Sequence, residues 1–213
     1  MMNPIPVGEL DWWHLSEPTA EELRLSGGLL VEDWPHARQV ARLSAQLFEA
    51  TEPLHSLDAE ALRLLDRAAL LHNTGMLIEA RRHHKHSYRL IRDATLPDFN
   101  DEERYEIATI ARYHRRALPS VAHEEYARLS RVARKRVSAL AALLRIADGL
   151  DYSHDGRVLR VAANTELCDA ENWILSIWVR PLADLDDELE HVGEKADLFE
   201  KVFKRKVHFM IQD

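Results

Sequence analysis

Along the first 150 residues, apolar stripes at helical spacing run repeatedly into a histidine or an aspartate. Val40, Leu43 and Leu47 form one stripe, and His36 stands four residues before it. Leu62, Leu65 and Ala69 continue to His72, Ile107 and Ile110 to His114, and Leu140 and Leu144 to Asp148. His86 stands four residues before Leu90 on a further helical segment. Recurrence at three and four residues marks a helix face turned toward a core. Ionisable side chains at the ends of such faces need partners, because an unpaired buried charge costs several kcal/mol. The fold must therefore bring them together or hold something between them. Imidazoles and a carboxylate, without thiolates, suit a divalent metal such as Mn, Fe, Zn or Mg.

Pro53, Gly75, Pro97 and Pro119 separate the stripes, and Asp58 is placed to cap a helix. Residues 1–153 read as one helical unit of six to eight helices. Composition shifts at residues 153–156. Beyond them, Val158–Ala163 and residues 173–179 are rich in β-branched and aromatic residues and read as strands. Pro181 then opens a long helix with the stripe Leu182, Leu185, Leu189, Val192, Ala196, Phe199 and Phe203. Val207, Phe209 and Ile211 alternate in a third strand, Lys206–Gln212. The expected fold class is mainly α: a helical bundle followed by a small C-terminal α+β unit, residues 157–213, in the order β-β-α-β. The open sheet edges suggest a homodimer.

Twenty-eight Lys and Arg against thirty-six Asp and Glu give a net charge of −8, so no nucleic-acid partner is expected. Cationic residues nonetheless concentrate between Arg112 and Arg136, with Arg115 and Arg116 beside His114. An acidic chain with one basic stretch has the makings of a local anion site, to which Lys85 is added. The longest apolar run, residues 139–144, is far short of the ~20 residues a membrane span needs. Residues 1–12 lack the basic and apolar signature of a secretory leader. Cys168 is the single cysteine, which rules out an internal disulfide. A cytoplasmic protein is expected, with Trp12 and Trp13 packing onto the bundle.

The order His36, His72-Asn73, His86, His114, Asp148 resembles the HD superfamily of metal-dependent phosphohydrolases. Five stretches are similar to the C-terminal region of the exopolyphosphatase/guanosine pentaphosphate phosphatase family: AALLHNTG at 68–75, HHKHSYRLIRDATLPDFNDEE at 83–103, ARYHRRALP at 111–119, LLRIADGLDYSH at 143–154 and KADLFEKVF at 195–203. The resemblance implies an HD-type bundle in which His36, His72 and Asp148 hold metal. It makes His72, Asn73, His86 and His114 the catalytic positions. Lys85, Arg112, Arg115 and Arg116 would bind the anion, a phosphorylated small molecule or polyphosphate, and the reaction would be hydrolysis of a phosphate ester or anhydride.

Two departures modify that implication. The family's reaction is attributed to an N-terminal pair of actin-like domains, which have no counterpart in these 213 residues. Asn73 stands where the HD signature has aspartate, and a neutral amide is a poorer ligand and a poorer bridge between cations. Weak or absent metal binding and an impaired catalyst follow from it. Two functions stay open: a metal-dependent phosphohydrolase, and a non-catalytic polyphosphate- or nucleotide-binding accessory module.

Overall fold

Side chains that mark helix starts in the sequence cap those helices in the computed structural model, which describes residues 16–212. Trp12 and Trp13 lie outside the described residues. Thr19 caps α1 (Ala20–Leu25) in a reciprocal pair with Glu22, and Asp33 caps α2 (Trp34–Ala50). After the short α3 (Glu52–His55), Asp58 caps α4 (Ala59–Leu71) by accepting the Ala61 N–H, as its position predicts. A 3-10 turn, Ala80–Arg82, leads into α5 (His83–Asp93). Asn100 and Glu103 form a capping box on α6 (Asp101–Arg112). The short α7 (Glu124–Ala127) precedes α8 (Arg131–Gly149), whose cap is Ser130. Each cap accepts an N–H that the first turn would otherwise leave unpaired.

Helices α2, α4, α6 and α8 pack together as the bundle, with α5 laid against α6. Their stripes fill its core: Val40, Leu43, Leu47, Leu65, Ala69, Ile107, Ile110, Val137, Leu140 and Leu144 are all buried. Burying each of the large side chains contributes about 1.5–3 kcal/mol. No helix among the described residues is long and apolar enough to cross a membrane.

Beyond α8 come β1 (Val158–Ala163), β2 (Asn172–Val179), α9 (Asp186–Lys195), α10 (Asp197–Phe203) and β3 (Lys206–Gln212). The β-β-α-β order holds, with the helical part in two pieces. Central β2 runs antiparallel to β1 and parallel to β3. A parallel neighbour requires a crossover, and α9 and α10 supply it while packing on α8; β1 packs on α2.

The single long helix expected from Pro181 does not form. Leu182, assigned to its buried stripe, is fully exposed with a left-handed φ of 62°, and the helix opens only at Asp186. The break at Ala196 has a tertiary cause. Arg145 on α8 donates from Nε to the Lys195 carbonyl (3.2 Å) and from a terminal nitrogen to the Asp197 carboxylate (2.6 Å). The last turn of α9 is thereby tied to α8.

Candidate functional site

His36 sits in the first turn of α2, His72 closes α4, and Asp148 lies one residue from the end of α8. One ligand atom from each lies within 4.8 Å of the others. The Nε2 atoms of His36 and His72 face Asp148 Oδ1 at 3.4 and 3.3 Å without making a hydrogen bond to it. Both nitrogens are buried and lack any other partner. The second ring nitrogens are committed: His36 Nδ1 bonds Asp151 at 2.8 Å, and His72 Nδ1 donates to the Ala69 carbonyl at 2.7 Å. Such outer contacts fix ring orientation and direct Nε2 inward. His154 stacks on the His36 ring at 3.6 Å and bonds Asp33, the residue that caps α2 through the His36 N–H. Asp148 Oδ2 is held by the Lys195 ammonium.

Burial opposes charge on His36, but the carboxylates of Asp148 and Asp151 outweigh it and raise its pKa to about 9. Burial alone would raise Asp148. Lys195 and the two imidazoles reverse that and hold its carboxyl well below the usual range. His72 is fully buried, and burial lowers its pKa.

Beside His72, whose ring meets that of His114 edge-on at 5.0 Å, α5 and the turn after α6 bring histidines against each other. His83 Nε2 and His114 Nε2 lie 2.9 Å apart, with the rings stacked at 16°. Each Nδ1 donates to a backbone carbonyl, of Ala80 at 2.8 Å and of Ala111 at 2.6 Å. Two neutral rings so bonded present two lone pairs to each other, with no proton left to share. Burial keeps both neutral, pushing His83 down to about 4 and His114 well below its ordinary range. Neighbouring His84 is pushed down to about 3 by burial and by Arg112. Asn73 Oδ1 is buried here without a partner.

His86 does not join the cluster. Its Nε2 turns to Glu79 at 3.4 Å. The buried face of α5 is His83, His84, Ser87 and Ile91, a stripe masked in the sequence because Ser87 is polar. Ser87 Oγ accepts the Gly75 N–H at 2.9 Å. A Cβ on Gly75 would stand 2.3 Å from the His83 carbonyl oxygen and 2.5 Å from Ser87 N, so only glycine lets α5 lie on this turn. Gly149 serves the other wall: a Cβ there would meet Val192 Cα at 2.9 Å, and its absence lets α9 carry Lys195 to Asp148.

Arg115 and Arg116 line a cleft of about 530 Å³ together with Asn73, His83, His114, Asp148 and Lys195. Arg112 does not. It is buried, pairs with Glu125 at 3.0 Å and lies over the Tyr113 ring. Lys85 is exposed on a neighbouring recess with Arg81, Arg82 and His84, and Arg116 lines both that recess and the cleft. Asp151, His154 and Lys195 were not anticipated. Asp151 follows Asp148 by three residues, a spacing that could have revealed it. Lys195 arrives from 47 residues away and leaves no local signal.

Residues 30–191 match the family model for the Ppx/GppA phosphatase, domain III. The chain is also 36% identical over 86 residues, 39% of its length, to the guanosine-5'-triphosphate,3'-diphosphate pyrophosphatase of Pseudoalteromonas translucida (strain TAC 125). That match spans 17% of the curated relative.

Proposed function

The chain belongs to the Ppx/GppA phosphatase domain III family, and from that membership and the cluster beneath the cleft we propose an HD-type metal-dependent phosphohydrolase acting on a phosphate ester or anhydride. One observation carries the reading: two buried Nε2 atoms that make no hydrogen bond converge on one carboxylate. Leaving a buried polar atom unsatisfied costs about 1–3 kcal/mol, a penalty that a bound cation removes. Two imidazoles and a carboxylate fit a divalent ion with open positions. Such an ion, when bound, acidifies water and polarises a phosphoryl oxygen.

The chain's own residues supply the remaining chemistry. Asp151 and the Ala69 carbonyl aim the imidazoles. Lys195, Arg115 and Arg116 bring positive charge to the cleft, where it meets the phosphoryl oxygens of the ligand. To hold an ion through Nε2, His36 would have to give up the proton that Asp148 and Asp151 favour, so binding would be coupled to proton release. The ligand class is a phosphorylated small molecule or polyphosphate, and the substrate in the relative's name falls within it. A second reading, a non-catalytic polyphosphate- or nucleotide-binding module, is favoured by Asn73, which brings no charge to the cleft wall.

Elemental analysis of protein purified without chelator, followed by turnover of a phosphomonoester, pyrophosphate and polyphosphate, tests the proposal. The expected result is one divalent ion per chain, with turnover abolished by chelator and by His72→Ala. Ion-free protein that binds polyphosphate in a salt-dependent way without turnover selects the second reading.

A further inference from the structure

The two carboxylate oxygens of Asp148 are used differently. Oδ1 faces the imidazoles, whereas Oδ2 takes the Lys195 ammonium. Lys195 is no loose surface side chain, being only 17% exposed. Its carbonyl is bonded by Arg145, which also holds the Asp197 carboxylate and, at 3.3 Å, the Arg116 carbonyl. Gly149 supplies the close helix approach that puts α9 within reach. A buried arginine, a helix break and a glycine contact thus deliver one ammonium to one carboxylate. Across the cleft, Asn73 Oδ1 is buried and unpartnered but carries no charge. Two divalent ions side by side need more negative charge than this wall offers.

We propose that Lys195 is the resident second cation of the site. It occupies the side of Asp148 that a second metal ion would use, limits the site to one divalent ion and, with Arg116, receives the phosphoryl group of the ligand. The inference rests on the metal-site reading above. An ammonium has three donors, so one remains on Asp148 while others reach phosphoryl oxygens. Unlike a metal ion it forms no coordinate bond to water and so does not generate hydroxide near neutral pH. Charge for holding the ligand is thereby separated from charge for activating water.

The test measures Mn²⁺ stoichiometry by equilibrium dialysis and inorganic phosphate affinity by calorimetry on the Mn²⁺-equilibrated full chain. Wild type should bind one Mn²⁺ and His72→Ala none. Lys195→Met should still bind one Mn²⁺ but lose phosphate affinity by at least about tenfold, while Lys195→Arg should keep it within about threefold. Lys195→Met combined with Asn73→Asp should bind two Mn²⁺. Phosphate affinity unchanged in Lys195→Met, or a double variant still binding one ion, overturns the proposal while leaving the metal reading intact. Wild type that binds no Mn²⁺ overturns both.

Discussion

At the α8 end of the cluster imidazoles face carboxylates, and at the α5 end they face each other. His36 and His83 are both buried, yet the first is raised to about 9 and the second pushed down to about 4. Burial disfavours the charged form of each, so the partner decides the outcome. One end therefore has negative charge to offset a cation. The other has lone pairs and a neutral amide. The two glycines extend the contrast to the backbone: Gly149 admits a helix bearing a lysine, and Gly75 admits one bearing histidines. Position in the fold makes the two ends alike, and a few carboxylates make them chemically different.

Asp148→Asn removes the charge that separates the two ends and should have the largest effect. Mn²⁺ affinity should fall on the order of 100-fold or more, since both Nε2 atoms lose the carboxylate they face. The apo protein should also lose stability, because Lys195 and His36 are left beside a neutral amide. Breaking a largely buried pair costs roughly 3 kcal/mol, readable from urea unfolding. Mn²⁺ binding equal to wild type would place the ion elsewhere.

A smaller effect should appear as opposite pH responses of the two ends in the apo protein. His36, raised from 6.5 to about 9, contributes stability that is complete below pH 6.5 and is lost as pH rises through 9. His83 and His84, lowered from 6.5 to about 4 and 3, contribute stability that is complete above pH 6.5 and is lost as pH falls toward those values. The Tm difference between wild type and His36→Asn should therefore shrink in alkali, and that between wild type and His84→Asn should shrink in acid. Each drift should be on the order of 3 °C for a chain of this size. Differences that stay flat across pH 4–10 would show that the partners do not set the two ends apart.

Much of the architecture was readable because apolar periodicity survives folding: the stripes that fill the core are those visible in the chain, and Asp58 caps where it should. His36, His72, His114 and Asp148 were readable for the same reason, each extending a stripe into the cluster. Long-range events were not readable. Arg145 breaks the C-terminal helix through bonds to Lys195 and Asp197, which local pattern cannot register. Arg112 looked like a free cation because its partner Glu125 lies on another helix. Lys195 belongs to the site only because the crossover to β3 packs α9 on α8.

The smallest effect is expected where sequence pattern and structure disagree most, at His86. It lies three residues after His83 on α5, yet its side chain is 20% exposed and reaches Glu79 rather than the cluster. A contact so placed contributes little, so His86→Ala should change stability by less than ~0.5 kcal/mol and leave Mn²⁺ affinity within about twofold. The sharper comparison uses the variant combining Asn73→Asp with Lys195→Met, in which the α5 end gains a carboxylate and Asp148, at the α8 end, loses its competing ammonium. His83 Nε2 and His114 Nε2 are 2.9 Å apart, and two nitrogens at ~2.1 Å from one ion, roughly at right angles, have about that separation. In that background His83→Ala should return the stoichiometry from two Mn²⁺ to one, and His86→Ala should leave it at two. The reverse result would mean that His86, not His83, is the metal-facing histidine of α5, as the spacing to Leu90 first suggested.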